Sequence, residues 1–337
     1  MKRTVLWALA IASVLAAASG FPGRPAAAAA EEYQPLVVVS VCSYEKLIPS
    51  KDSMMADRNS CPDIGAAMAR AEEAFPFKDY ITKGKRQGIL YVVGQVARHC
   101  QRADPALLDI GSGPMDITAV FAQLGYACCA IDDLSDPWHR RGNNLDAILD
   151  FAQRMGIRFH LQSIGEYSIP FARDSFDVVT LNGVIEHLHE SPRGILNAAG
   201  SHLRSGGLLC ITMPNAVNLR KRLSVLRGWT NYPPVDQLFL SPGPWRGHVR
   251  EYTLAETARL CEMAGYQVAA ASTFESIAYD KLKGLARRVY LLLGCAIPTL
   301  RSGLCVIARK PDHWTPAKDD PEAYRKALEA SVPPGVR

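Results

Sequence analysis

An aspartate and two glycines in the order D-x-G-x-G, namely Asp109, Gly111 and Gly113, lie within the run LLDIGSGPMD from Leu107 to Asp116. The apolar residues Leu107, Leu108 and Ile110 predict a buried strand, and Pro114 suits the first turn of a helix that follows. Two glycines between strand and helix let the backbone bend sharply and come close to a ligand. The free N–H groups at the start of the helix can then face a polar group. Gly111, Ser112 and Gly113 therefore read as a socket for a nucleotide-like molecule. The dinucleotide fingerprint needs a third glycine, G-x-G-x-x-G, for close helix packing beside a pyrophosphate. Asp116 stands at that place. A carboxylate there would repel phosphate, which argues against an NAD-dependent oxidoreductase.

Further along, the apolar run Tyr126 to Ile131 predicts a second buried strand that ends on Asp132 and Asp133. An acid at that tip suits a ribose, because one carboxylate accepts hydrogen bonds from both vicinal hydroxyls. Phe176 to Leu181 predicts another strand, whose carboxy-terminal tip carries Asn182 and Gly183, and open parallel sheets bind ligands at that end. His187 follows Glu186 directly after this tip. It is the first candidate for touching a substrate or taking up a proton, or else it fixes the junction between loop and helix. His248, just before a capped helix, reads as a loop hydrogen-bonder.

Four stretches together resemble the class I S-adenosylmethionine-dependent methyltransferases, in the type 11 and type 23 style. D-x-G-x-G resembles their motif I, with Met115 where many members carry a third glycine. The stretch from Ser168, SIPFARDSFDVVTLNGVIEHL, is similar to the segment around strand four of the ubiquinone and menaquinone methyltransferases. HLRSGGLLCITMPN (His202–Asn215) and HVREYTLAETARLCEMAGYQV (His248–Val268) follow in family order. The resemblance covers roughly residues 88–310. It implies a Rossmann-like, doubly wound α/β sheet of seven strands with the last antiparallel, and S-adenosyl-L-methionine as cofactor. By the same resemblance Asp109 anchors the methionine end of the cofactor, Gly111, Ser112 and Gly113 give close backbone approach, Asp132, with Asp133 beside it, holds the ribose, and Asn182 lies beside the methionine moiety. Glu166 lies in the loop that would meet adenine.

These residues need elements to position them. A helix is expected at Asp63–Phe75 and another from about Gly88 to Cys100, leading into the strand at Leu107. Helices near Ile117–Leu124 and Leu145–Met155 and a strand near Arg158–Gln162 complete the first half. Thr253 and Glu256 predict a capping box and Gly265 a helix end. Gly303–Lys310 is the expected last strand. Residues 216–252 form an insert with Arg220, Lys221, Arg222, Trp229, Tyr232, Phe239 and Trp245, read as a lid over the acceptor pocket. A helix near Leu282–Leu293 carries Arg287 and Arg288 beside a leucine run, and is expected to cover the sheet rather than touch a membrane. The resulting organisation is a leader at 1–30, an N-terminal extension at 31–87 with a strand near Leu36–Val41, a methyltransferase domain at 88–310 and a C-terminal tail at 311–337.

The chain of 337 residues is 48% hydrophobic and 21% charged, ordinary values for a globular protein. Its net charge of +5 is spread rather than blocked, so no nucleic-acid partner is expected. The expected acceptor is a small molecule, a saccharide or a lipid-linked glycan, methylated on oxygen, nitrogen or carboxylate. The alternative is a Rossmann-like binding module that has lost turnover. Nine cysteines occur without C-x-x-C spacing, so neither a metal site nor a disulfide framework is expected. Lys2, Arg3, an apolar run from Val5 to Ala18 and an alanine tract ending at Ala30 have the form of a secretory signal peptide. That leader suggests export or a short membrane anchor. The cofactor chemistry and the unpatterned cysteines favour the cytoplasm instead. The sequence carries no signal for oligomeric state.

Overall fold

The structure, a computed structural model, describes residues 63–163 and 167–331. The signal-like leader, the expected strand at Leu36–Val41 and Glu166 lie outside the described residues.

Two helices open the described chain, α1 (Ile64–Ala74) and α2 (Lys83–His99). Each is started by a side-chain cap: Asp63 accepts from the Ala66 N–H and Thr82 from the Lys85 N–H. The cap at Thr82 is why α2 begins five residues before the expected Gly88. The chain then alternates through β1 (Ala106–Ile110), α3 (Asp116–Gln123), β2 (Ala127–Asp132), α4 (Asn144–Arg154), β3 (Arg158–Leu161) and β4 (Phe176–Asn182). A 3-10 turn at Ile185–His187 and helix α5 (Arg193–His202) lead to β5 (Leu203–Pro214). The insert contributes the short helices α6 (Leu219–Leu226) and α7 (Val235–Phe239). After it come α8 (Leu254–Met263), β6 (Gln267–Phe274), α9 (Ile277–Lys281), α10 (Gly284–Ala296), β7 (Gly303–Arg309) and α11 (Pro321–Ser331).

The seven strands form one sheet in the order β3-β2-β1-β4-β5-β7-β6. β7 is antiparallel to both of its neighbours and the other pairings are parallel. The order reverses at β1 and β4, so the tips of β1, β2 and β4 form the crevice where a ligand belongs. Both faces are covered. Leu107, Cys128, Val178, Leu208, Cys210 and Ile307 share a core with Met68 of α1, Val93 of α2, Phe121 of α3 and Phe151 of α4. Their sequence neighbours Leu108, Cys129, Val179, Leu209 and Val306 are buried as well, on the opposite face by strand alternation. That two-sided burial explains why the strands read as continuous apolar runs. Removing a side chain the size of Phe121 from this core would cost about 3–5 kcal/mol.

The capping box of Thr253 and Glu256 is present. The segment His202–Asn215 runs from the end of α5 into β5, whose pairing with β4 is irregular between Phe176 and Val178, with Gly206 at φ 73° in β5. Helix α10 departs further from expectation. Only Gly294 is buried, while Leu285, Val289 and Leu292 face solvent, so this helix does not cover the sheet. Among the described residues no helix is long and apolar enough to cross a membrane.

Candidate functional site

The turn after β1 has the backbone that its glycines allow. Gly111 sits at φ 72° and Gly113 at φ 52°, and Met115 joins them at φ 63° as the residue that starts α3. Met115 is fully buried, so core packing compensates a conformation that a side chain disfavours. The turn is tied down from β2. The Gly111 N–H donates to the Ile131 carbonyl at 2.8 Å. The Gly113 N–H donates to Asp132 Oδ2 at 2.8 Å, and Asp132 Oδ1 accepts from the Leu134 N–H at 2.7 Å. Burial raises the Asp132 carboxyl above its usual range, with those two bonds opposing the rise. Asp133, beside it, uses Oδ1 to accept from the Ser135 N–H at 2.8 Å.

Asp109 lies beneath the turn and is 2% exposed. It accepts from Thr118 Oγ1 at 2.5 Å, from Thr180 Oγ1 at 2.6 Å and from Asn182 Nδ2 at 3.3 Å. Burial pushes its pKa up to about 6 against those three donors. Asn182 also accepts from Thr212 Oγ1 at 3.0 Å, so one network runs from β1 through β4 to β5. Sequence reasoning missed Thr118 and Thr180; polar residues in otherwise apolar buried runs were the available signal.

Gly111, Ser112, Gly113, Asp132, Asp133 and Asn182 come together at the adjacent tips of β1, β2 and β4. All are half-buried, whereas Leu108, Ile110, Ile131 and Leu181 just behind them are fully buried. A polar, partly open rim on an apolar floor suits a ligand carrying a ribose and an amino-acid end. Asp116 does not face that rim. It turns to Lys85 Nζ at 3.0 Å, and Lys85 lies 3.7 Å from the centre of the Tyr80 ring. The expected repulsion of phosphate by Asp116 is therefore replaced by a neutralised pair, although its side chain still occupies the place of the third fingerprint glycine.

Residues after β2 stand over the turn. Trp138 stacks on Tyr80 with ring centres 4.9 Å apart, and the His139 ring comes within 4.0 Å of a Cβ placed on Gly113. The end of the insert reaches the same place: Arg246 bonds Ser135 beyond the tip of β2, and the Arg246 and Trp245 carbonyls accept from His187 Nδ1 and His189 Nε2, each at 2.8 Å.

His187 is half-buried beside Glu186 at the tip of β4. The His248 ring lies 4.8 Å from it, nearly perpendicular. His248 Nδ1 bonds Glu251 Oε1 at 2.7 Å, and the other Glu251 oxygen is paired with Lys221 of α6. Burial raises Glu186 to about 7, lowers Lys221 to about 8, and lowers His248 to about 4 with help from His187. Glu251 was not singled out in the sequence, where the H-x-x-E spacing from His248 was the clue.

A family model described as a methyltransferase domain matches residues 85–271. No curated protein sequence matches the chain. Among solved structures it is similar to a Burkholderia thailandensis 1,6-didemethyltoxoflavin-N1-methyltransferase with bound 1,6-didemethyltoxoflavin and S-adenosylhomocysteine, at 20% identity over 75% of this chain and 92% of that one, with a TM-score of 0.43. It is also similar to a methyltransferase from Methanosarcina mazei (17% identity, 64% of this chain, 96% of that one, TM-score 0.42) and to one from Aquifex aeolicus (12%, 72% and 97%, TM-score 0.42).

Proposed function

We propose that this chain, which belongs to the methyltransferase domain family, takes S-adenosyl-L-methionine as its cofactor and methylates a small-molecule, saccharide or lipid-linked acceptor held between the glycine turn and the insert. One observation carries the reading: the half-buried polar groups of Gly111–Gly113, Asp132, Asp133 and Asn182 converge at the point where the strand order reverses.

The cofactor, when bound, supplies a methyl group on a sulfonium, which the acceptor displaces in line. The protein's part is to position the partners and handle the acceptor's proton. In this reading the turn lies against the cofactor through its backbone. Asp132 holds both the turn and the ribose, since its oxygens keep lone pairs after accepting from Gly113 and Leu134, and Asp133 keeps Oδ2 for the same work. Asp109 acts from below by fixing Asn182, and its negative charge favours the amino group of the methionine end. His187 faces the acceptor side, its Nδ1–H given to a carbonyl, so that Nε2 keeps the lone pair. Residues 216–252 act as the lid, a role supported by the bonds of Trp245 and Arg246 to the tips of β2 and β4.

The absence of a basic stripe among the motifs favours such acceptors over nucleic acid. A cytoplasmic working site fits the cofactor and the unpatterned spacing of the cysteines. Incubating the purified chain with radiolabelled S-adenosylmethionine and fractionated cell extract tests the acceptor class. Label should enter the metabolite, glycan or lipid fraction; label confined to RNA or DNA would refute it.

A further inference from the structure

Glu186, His187 and His248 each place one ligand-type atom within 4.8 Å of the other two. Two independent features make this more than a meeting of polar side chains. Glu186 is 1% exposed, and its Oε2 has no hydrogen-bond partner. A buried carboxylate oxygen left bare costs stability unless something meets it. Lys221, the nearby cation, is already paired with Glu251.

The second feature is the state of the two rings. His187 Nδ1 sits 2.8 Å from a carbonyl oxygen, which can only accept, so Nδ1 carries the proton and Nε2 the lone pair. His248 Nδ1 sits 2.7 Å from Glu251 Oε1, which sets the same tautomer. Each imidazole is thus oriented from behind by an oxygen acceptor, the arrangement that holds metal-ligating histidines in place.

We infer that Glu186, His187 and His248 form a binding site for one divalent transition-metal cation, with Glu251 and the Arg246 carbonyl as the groups that orient the two imidazoles. Two imidazoles and one carboxylate suit zinc, iron or manganese better than magnesium or calcium, which take oxygen ligands. The ligands were not visible as a motif because α5, β5 and most of the insert separate His248 from the adjacent pair. Three protein ligands leave coordination positions open. On the methyltransferase reading these face the acceptor side of β4, and His187 then meets the acceptor through the cation rather than as a free base. Cation binding itself does not depend on that reading.

The test uses the full chain, stripped with a chelator and titrated with zinc chloride and magnesium chloride by calorimetry, with S-adenosylhomocysteine titrated in parallel. One zinc should bind per chain, at least ~100-fold more tightly than magnesium, and X-ray absorption should show two imidazoles on the metal. His248→Ala should weaken zinc by at least ~100-fold while leaving the heat of S-adenosylhomocysteine binding in place, and Glu251→Gln should weaken it by ~10–100-fold, the usual effect of losing an orienting partner. Glu186→Gln, which removes a buried bare charge without changing shape, should fold normally and lose zinc. No zinc heat from a chain that binds S-adenosylhomocysteine, or zinc binding untouched by His248→Ala and Glu186→Gln, would overturn the assignment. Zinc binding that needs these residues, in a chain that ignores S-adenosylhomocysteine, would uphold the metal site and sink the methyltransferase reading alone.

Discussion

Lowering the pH from 7 to 5 should stabilise the cofactor-free chain by about 1 kcal/mol through Asp109 alone. Its pKa rises from the ordinary 3.8 to about 6 on folding because burial outweighs the three hydrogen bonds from Thr118, Thr180 and Asn182. A folded-state value above the unfolded one means that the folded chain binds the proton more tightly, so stability grows as pH falls through 6 and levels off below 3.8. The full span is about two units, or about 3 kcal/mol at 1.36 kcal/mol per unit. At pH 7 almost none of it is realised, and at pH 5 a little under half of it is, which sets the expected difference. Other buried acids, Asp132 among them, add in the same direction. The assay is therefore urea unfolding of the wild type and Asp109→Asn at both pH values, and the prediction is the difference between their pH responses. The same carboxylate is proposed to favour the cofactor's amino group when ionised, so S-adenosylhomocysteine should bind about tenfold more weakly at pH 5 than at pH 7. That loss should vanish in Asp109→Asn. If Asp109→Asn keeps the whole pH response of stability, the carboxylate is not the buried acid described here.

Gly111→Ala should cost about 3 kcal/mol by thermal unfolding, because φ 72° is combined with a Cβ only 2.6 Å from Val184 Cγ2. Gly113→Ala, at φ 52° with nothing nearer than 4.0 Å, should cost only about 1 kcal/mol, and Val184→Ala should partly rescue Gly111→Ala but not Gly113→Ala. Lys85→Met strands the buried Asp116 carboxylate. It should lose about 2 kcal/mol in urea unfolding, less than a fully buried pair because the Lys85 side chain is 32% exposed, and adding Asp116→Asn should restore most of it. Arg246→Ala cuts the tie between the insert and Ser135, so S-adenosylhomocysteine should dissociate roughly three- to tenfold faster in stopped flow, the worth of about one hydrogen bond; an unchanged rate would remove the lid from the account.

The centre of the sheet was legible because β1, β2, β4, β5 and β7 are buried on both faces and so appear as apolar runs. The turn at Gly111–Gly113 and the acids at Asp132 and Asp133 could be placed for the same reason, since a strand end and a chemical requirement coincide there. What could not be read is where polar side chains turn. Asp116 is three residues in sequence from the turn yet is drawn away by Lys85, 31 residues earlier in the first turn of α2. The network on Asp109 is assembled from β1, α3 and β4. The pairing of His187 with His248 depends on how the insert returns to the tip of β4, and no local pattern encodes that. Helix α10 misled through its leucine run, in which Leu291 and Leu293 are only half-buried and Leu292 is exposed.

The most direct test of the central claim is calorimetry of the purified chain with S-adenosylhomocysteine, alongside Asp132→Ala. One molecule should bind per chain with a dissociation constant of about 1–10 µM, near 7–8 kcal/mol of binding free energy. Asp132→Ala, which frees the Gly113 N–H and removes the ribose acceptor, should weaken binding by at least tenfold while remaining folded. A folded wild type that gives no heat, or an Asp132→Ala variant that binds as well as the wild type, would contradict the assignment of this crevice.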